Sequence, residues 1–248
     1  MPLKLAARSV HENTIFGNPF IVTIDGPAAS GKSSVSRELA RRLGWSWVST
    51  GAFYRGLAYV AARLGAEMSD EEAIADLAHS PLWKVQMTAE ETRVLMMTSG
   101  KLDNAPMTDV TAEIGREENG LVASRVSSFG KVRTALLDAQ RNCAEGVIGL
   151  IAEGRDCGTV VFPNAHVKVF LTARAEDRAA RRALEEGRDL DRTISEQKHR
   201  DAQDAGRKVA PMQASVDSMT IDTTTLNLDE VVDQVEDLVR QRLSSLSN

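Results

Sequence analysis

The stretch Gly26-Pro27-Ala28-Ala29-Ser30-Gly31-Lys32-Ser33 matches the phosphate-loop pattern G-x-x-x-x-G-K-[ST] at every fixed position. Gly26 and Gly31 let the backbone wrap closely around phosphate groups, where a Cβ atom would obstruct it. The backbone N–H groups of the loop and the start of the following helix together form a binding site for anions. We therefore expect residues 26–34, which end with Ser34, to bind the phosphates of ATP.

Two side chains of this loop are expected to act on the nucleotide directly. Lys32 would place its ammonium group in a solvated anion hole against the β- and γ-phosphates, so it is the first catalytic candidate. The Ser33 hydroxyl can bind Mg²⁺, and Asp25 is a further candidate for the same ion.

The residues around the loop predict an α/β fold. Residues 20–24 form a short β-branched run, and from Ser33 onwards Val35, Leu39 and Leu43 share one face of a predicted helix. Strands separated by helices form a doubly wound parallel sheet, which binds ligands at the carboxyl ends of its strands. Further strands are predicted at residues 45–48, 147–152, 167–171 and 219–221, and further helices at 52–64, 132–143, 175–186, 193–204 and from 228 onwards.

The segment 68–129 differs from the rest of the chain. It contains a probable hairpin, residues 84–87 against 94–98, and few strong helix signals. We interpret it as an insertion outside the main sheet. The predicted organisation is an N-terminal extension at 1–19, a kinase core at 20–67 and 130–248, and the insertion at 68–129.

Composition narrows the function further. The 248 residues carry a net charge of −5, which argues against a nucleic-acid-binding surface. With only two cysteines and no apolar run of membrane-spanning length, the chain is expected to be cytoplasmic and not attached to a membrane. We expect it to act as a monomer.

Four segments resemble the bacterial cytidylate kinases. They read TGAFYR from Thr50, SRVSSFGKVR from Ser124, EGRDCGTVVFP from Glu153 and R-D-x-x-D-x-x-R-K-V-A-P from Arg200, and the resemblance runs from about residue 21 to about residue 243. It implies a P-loop kinase core with a nucleoside-monophosphate-binding insertion and a short lid at about 178–195. It also implies ATP-dependent phosphorylation of CMP, and of dCMP, with ADP as the second product and Mg²⁺ as cofactor.

The resemblance also implies roles for individual residues. Cytosine presents an N4 amine donor beside the N3 and O2 acceptors, so its site needs a carboxylate and strong donors. Asp156 would accept from N4, and Ser124 and Arg133 would contact the base. The other implied acceptor-site residues are Thr50, Arg55 and Arg155 for the phosphate, and Arg200, Asp204 and Arg207 for the sugar and phosphate.

Two groups of charged residues are expected to lie on single helical faces. Arg200, Asp204 and Arg207 follow an i, i+4, i+7 spacing, which on its own is more typical of a solvated, salt-bridged surface. Arg178, Arg181 and Arg182 share a face where the lid is expected. We take four residues as the catalytic cations that stabilise charge in the transition state, namely Lys32, Arg155, Arg181 and Arg182.

Two alternatives remain open at this point. A P-loop kinase for another small acceptor would keep residues 26–33 but would have no use for a carboxylate at Asp156 facing an amine. A non-enzymatic nucleotide switch would bind ATP without turnover, which the several arginines expected around the phosphates argue against. A substrate panel and an ADP-release assay with CMP distinguish them.

Overall fold

A computed structural model describes residues 18–88, 91–97 and 106–246, except for the side chains of 117 and 118. The expected N-terminal extension, residues 1–19, therefore lies outside the described part apart from its last two residues. The same holds for Thr98 at the end of the predicted hairpin.

The centre of the fold is a five-stranded parallel sheet, as the alternation of strands and helices predicts. Its strand order is β2-β6-β1-β7-β8, and each neighbouring pair is parallel. β1 is central, so the phosphate loop that follows it lies in the middle of the carboxyl edge. The five strands are β1 (Phe20–Asp25), β2 (Ser46–Ser49), β6 (Gly149–Gly154), β7 (Val167–Thr172) and β8 (Met219–Asp222).

Helices cover both faces of this sheet, which confirms the doubly wound α/β architecture. On one face, Val35 and Leu39 of α1 share an apolar core with Val232 and Val235 of α9. On the other face, the core is formed by α2 and α6 together with residues from the segment 68–129. The helices are α1 (Lys32–Leu43), α2 (Thr50–Arg63), α3 (Glu71–Leu77), α4 (Thr111–Gly115), α5 (Glu117–Val126), α6 (Gly130–Arg141), α7 (Ala175–Glu186), α8 (Leu190–Ala205) and α9 (Leu228–Leu246).

A second, antiparallel sheet of three strands, in the order β3-β4-β5, lies within residues 68–129. It contains the predicted hairpin, with Val85 opposite Val94. Gly56 lets α2 pack closely on this sheet, since a Cβ atom there would lie 2.9 Å from Val94 Cγ1. The strands are β3 (Trp83–Met87), β4 (Thr92–Met97) and β5 (Met107–Asp109).

Within its described residues, the same segment also contains three helices, which the sequence pattern did not indicate. α3 has seven residues and α4 has five. Helices of one to two turns place too few apolar residues on one face to produce a recognisable helical period. Their stability comes from packing, since Ile74 and Ile114 are fully or nearly fully buried in the core shared with α2.

Among the helices of the described residues, none combines the length and apolarity needed to cross a membrane.

His166 joins the central strand to β7 and makes the fold sensitive to acid. Its Nδ1 accepts a hydrogen bond from the Ile21 N–H at 3.0 Å, and its ring stacks on Phe20 with 4.4 Å between centroids. Burial lowers the pKa of His166, and the charge of Arg242 lowers it further. The unfolded chain therefore takes up this proton first as the pH falls. The stability that neutral His166 contributes is present above about pH 6.5 and is lost as the pH falls below it toward the folded-state pKa.

We predict that His166→Gln reduces the loss of stability between about pH 7.5 and about pH 5, because the variant has no proton to take up at this position. The free energy of unfolding, measured by urea denaturation across this range, checks it. Carboxylate titrations are common to all variants and cancel in the comparison. His79→Gln, at an exposed histidine, should follow the parent. A pH dependence for His166→Gln equal to the parent's would contradict the assignment.

Candidate active site

An open cleft of about 450 Å³ lies at the carboxyl edge of the parallel sheet. Its walls come from the phosphate loop, the start of α2, α5, the loop after β6, α7 and the end of α8. Most residues predicted for the site line it, namely Ala28, Ala29, Gly31, Lys32, Ser33, Ser34, Thr50, Arg55, Ser124, Arg155, Asp156, Arg181, Arg182, Arg200, Asp204 and Arg207. Gly26, Pro27, Ser30 and Arg133 do not line the cleft, although Pro27 and Ser30 contact Lys32, and Arg133 contacts Asp156.

The phosphate loop has the backbone conformation that its glycines allow. Gly26 has φ 145°, and a Cβ atom there would overlap the carbonyl oxygen of Leu171 on β7. Gly31, at the start of α1, has φ 89°. Ala29 also lies in the left-handed region, at φ 56°, which costs a residue with a Cβ roughly 1 kcal/mol or more. The loop between β1 and α1 is therefore held in a strained form.

Lys32 is buried, whereas the sequence pattern predicts a solvated side chain. Its side chain turns back into the loop, where Nζ donates to the Pro27 carbonyl at 2.5 Å. The Ser30 hydroxyl lies 3.5 Å from the same nitrogen. Burial lowers the pKa of Lys32 well below its usual value, and the charge of Arg155 lowers it further. The expectation of a solvated ammonium group is wrong because the loop's own carbonyl supplies a partner.

Ser33 is paired with a carboxylate that sequence reasoning missed. Its hydroxyl lies 2.8 and 2.9 Å from the two carboxylate oxygens of Glu153, to which it can donate one hydrogen bond. Glu153 stands near the end of β6, beside β1, and is only 3% exposed. An acidic residue that follows a buried apolar strand next to the phosphate loop is the signal that could have identified it. Hydroxyl and carboxylate oxygens are the ligands that Mg²⁺ prefers.

Asp25, which sequence analysis named as a further candidate ligand for Mg²⁺, makes other contacts in the structure. Its two carboxylate oxygens accept from the N–H groups of Cys157 and Gly158 at 2.8 and 2.7 Å. Burial raises the pKa of Asp25 to about 6, although these two N–H groups act in the opposite direction. Asp25 therefore holds the turn that follows Asp156 against the end of β1.

Two of the three residues predicted to contact the base, Arg133 and Asp156, form a buried ion pair. Arg133 on α6 donates through Nη2 to Asp156 Oδ2, and each side chain is 6% exposed. Arg133 also donates to the Ser127 carbonyl at 3.1 Å, and its guanidinium carbon lies 5.4 Å from the ring centroid of Tyr54. Burial raises the pKa of Asp156, and the charges of the neighbouring arginines offset part of that rise. A guanidinium is thus held beside the Asp156 carboxylate, which lines one wall of the cleft.

Asp204 connects three parts of the cleft. It accepts from Ser124 Oγ at 3.0 Å and from Arg155 Nε at 2.9 Å, and it is also paired with Arg207. Burial alone would raise the pKa of Asp204, but the charges of Arg155 and Arg207 hold it below its ordinary value. α8 ends at Ala205, so Arg207 does not lie on a continuous helix as the spacing predicts. It reaches Asp204 from the turn beyond the helix instead.

Thr50, Arg55 and Arg200 are the remaining residues predicted for the acceptor side of the cleft. The Thr50 hydroxyl donates to the Glu153 carbonyl at 2.8 Å and retains its lone pairs as acceptors. Arg55 donates to the Gly115 carbonyl at 3.1 Å, and Arg200 is 7% exposed.

The three arginines of α7 have separate surroundings, although one helix carries them all. Arg181 donates to the carbonyls of Thr223 and Thr224 at 2.5 and 3.1 Å. Arg182 pairs with Glu186 at 3.0 Å. Arg178 does not line the cleft and donates to the Ala28 carbonyl of the phosphate loop. Arg181 and Arg182 remain the two that face the cleft.

Comparison with known proteins agrees with this geometry. Residues 22–241 match the family described as cytidylate kinase. A cytidylate kinase of Bdellovibrio bacteriovorus is 56% identical over 223 residues, covering 90% of this chain and 99% of that protein. One from Vibrio cholerae is 41% identical over 228 residues, covering 90% and 97%. The crystal structure of an uncharacterized protein from Eubacterium ventriosum, 12% identical with a TM-score of 0.50 over 89% of this chain and 98% of that one, shares the fold. The chain belongs to the cytidylate kinase family.

Proposed function

We propose that the protein transfers the γ-phosphate of ATP to CMP, and to dCMP, and releases ADP. The observation that carries this proposal is the buried Arg133–Asp156 pair, whose Asp156 lines the same cleft as the phosphate loop. The phosphate loop supports a nucleoside triphosphate as the donor. The ion pair supports a base with both a donor and acceptors on its edge.

Cytosine fits the Arg133–Asp156 pair better than uracil does. The Asp156 carboxylate can accept from the N4 amine, while a guanidinium N–H of Arg133 can donate to N3 or O2. Uracil carries an oxygen at position 4 and a proton on N3, so it would set an acceptor against the carboxylate. A buried polar group left without a partner costs about 1–3 kcal/mol, and more for a charged group.

Transfer of the phosphoryl group depends on positioning and positive charge more than on a general base. The acceptor phosphate is already an anion near neutral pH, so one of its oxygens can attack the γ-phosphorus. The bond from that phosphorus to the bridging oxygen breaks, and ADP leaves with the electron pair. Charge spread over the migrating group would be stabilised by nearby cations. We assign this role to Lys32, Arg155, Arg181 and Arg182, with Arg55, Arg200 and Arg207 holding the acceptor.

Ser33 and Glu153 are the residues that we expect to hold Mg²⁺. Both offer hard oxygen ligands, and they lie within hydrogen-bond distance of each other at the start of α1. Bound by these residues, the ion would neutralise charge that develops on the phosphates during transfer. Few protein ligands are needed, because Mg²⁺ keeps waters and phosphate oxygens in its shell.

We further propose that residues 68–129 act as the acceptor-binding insertion and residues 178–195 as the lid, on a core formed by residues 20–67 and 130–248. Ser124 on α5 and Ser127 just after it support the first role, because the Ser124 hydroxyl contacts Asp204 and the Ser127 carbonyl accepts from Arg133. The net charge of −5 supports small nucleotides, not nucleic acid, as ligands. We also propose that the protein acts as a monomer in the cytoplasm. Its two free cysteines fit a reducing compartment.

Asp156→Asn tests the base assignment. We expect the parent to favour CMP over UMP by on the order of 10³ in kcat/KM, because UMP leaves a buried carboxylate without a donor. The variant should phosphorylate CMP poorly and show a much smaller CMP/UMP ratio, since its amide can donate to O4. ADP release, measured with each nucleotide, gives both values. Asp138→Asn, at an exposed aspartate of α6, should behave as the parent. A parent that uses UMP as well as CMP, or an unchanged ratio in Asp156→Asn, would remove Asp156 from base recognition.

Glu153→Gln tests the metal assignment. The Mg²⁺ concentration that gives half-maximal activity should rise by about tenfold or more, because a carboxylate beside the ion is replaced by a neutral amide. Titration of Mg²⁺ at a fixed, saturating ATP concentration measures it. Glu145→Gln, an exposed control just before β6, should leave the curve unchanged. An identical Mg²⁺ curve for Glu153→Gln would show that this carboxylate does not help to bind the ion.

A further inference from the structure

The main-chain polar groups of Ala28, inside the phosphate loop, are bonded to α7 and α8. The Ala28 carbonyl accepts from Arg178 Nη1 at 2.9 Å and from Gln197 Nε2 at 3.1 Å. The Ala28 N–H donates to Asp201 Oδ1 at 3.4 Å. Three side chains from two helices thus meet at one residue of the loop. We call Arg178, Gln197 and Asp201 the Ala28 clamp.

The clamp is held rigidly from behind. Arg178 pairs with Asp201 at 2.6 Å, and its Nε donates to the Ala173 carbonyl at 3.0 Å. Arg178 is 6% exposed and Gln197 is 4% exposed. Buried hydrogen bonds with little access to water keep their geometry well, because no solvent competes for the same atoms. The Asp201 charge is neutralised locally by Arg178, so it need not repel phosphates bound nearby.

The geometry of a peptide bond gives this clamp a consequence for phosphate binding. A trans peptide is planar, so the Ala28 carbonyl and the Ala29 N–H point in opposite directions. Two donors that hold the carbonyl toward α7 and α8 therefore direct the Ala29 N–H to the other side of that peptide, and Ala29 lines the cleft. The next residue is strained, with φ 56° at Ala29. Without bonds to stabilise it, this peptide could rotate and relieve the strain.

We propose that Arg178, Gln197 and Asp201 are positioning residues for ATP, which act by fixing the Ala28–Ala29 peptide in its phosphate-binding orientation. This inference rests on the proposed function only in taking ATP as the ligand of the loop. The clamp residues do not line the cleft, so they act through the backbone and not by contact with the nucleotide. They belong to the α7–α8 pair, which also carries Arg181 and Arg182, so the same helices that supply cations to the cleft also orient the phosphate loop.

Gln197 offers the sharpest test, because it donates one hydrogen bond to the loop and is uncharged, whereas Arg178 and Asp201 also form an ion pair with each other. Gln197→Leu keeps the size of the side chain and removes the donor, and Gln197→Glu sets a carboxylate oxygen against the Ala28 carbonyl. We expect the Kd for Mg·ATP, measured by calorimetry in the absence of CMP, to rise about fivefold in the Leu variant and about tenfold or more in the Glu variant. KM for CMP should stay within about twofold of the parent. Gln203→Leu, at an exposed glutamine of the same helix, should bind ATP as the parent does.

A general structural role predicts a different result. If Tm falls while the Kd for ATP stays within about twofold, or if the values for ATP and CMP weaken together, the proposal is overturned. Arg178→Lys provides a second variant should the Gln197 variants fail to fold. It keeps the charge opposite Asp201 but cannot reach the carbonyls of Ala28 and Ala173 together, so ATP binding should weaken there as well. If the parent binds ATP but does not phosphorylate CMP, the proposed function fails, and the comparison of ATP affinities still decides the role of the clamp.

Discussion

The site depends on one electrostatic constraint, which is that the arginines buried in and around the cleft must be stable there. An unpaired buried charge is very costly, so each needs a partner of its own. Arg133 is paired with Asp156 and Arg155 with Asp204, while Arg178 is paired with Asp201. Removing one partner from such a pair typically costs about 3–5 kcal/mol. The carboxylates of the cleft therefore serve the stability of the site as well as recognition.

α8 supplies two of these carboxylates. Through them, one helix is connected to both the phosphate loop and the acceptor side of the cleft. Asp201 and Asp204 are three residues apart, so they lie on neighbouring turns of one helix face. Asp201 is directed to the phosphate loop through Arg178 and Ala28, and Asp204 to the acceptor side through Arg155 and Ser124. A displacement of this helix would change both ends together. Phosphoryl transfer requires donor and acceptor to be aligned, so one rigid element that carries both sets of contacts suits that requirement.

The parts of the fold that sequence predicted well are those with a local pattern. The loop Gly26–Ser33 and the helix after it are set by fixed residues and a regular apolar spacing, and both are where we expected them. The short helices between 68 and 129 have no such pattern, because their apolar residues are buried by partners distant in the chain. Arg207 does not share the helical face that its spacing predicts, because α8 ends at Ala205 and is followed by Gly206, a residue type that commonly ends helices.

The candidate site also contains residues that a motif identifies and residues that only the folded structure identifies. A motif in the sequence identifies Asp156 or Lys32 as a candidate, yet it does not show which atoms each one contacts. Glu153 and Gln197 gain their roles only from the folded chain, where each meets a residue of the phosphate loop more than a hundred positions away. Long-range contacts of that kind leave no periodic signal in a single sequence.

A crystal structure with CMP and a non-hydrolysable ATP analogue would show whether the paired Arg133 and Asp156 side chains recognise cytosine. We predict that the N4 amine lies about 3 Å from an Asp156 oxygen and that an Arg133 N–H donates to N3 or O2. The CMP phosphate should face the γ-phosphate across the cleft. A base bound elsewhere, with the Arg133–Asp156 pair making no contact to it, would contradict the account.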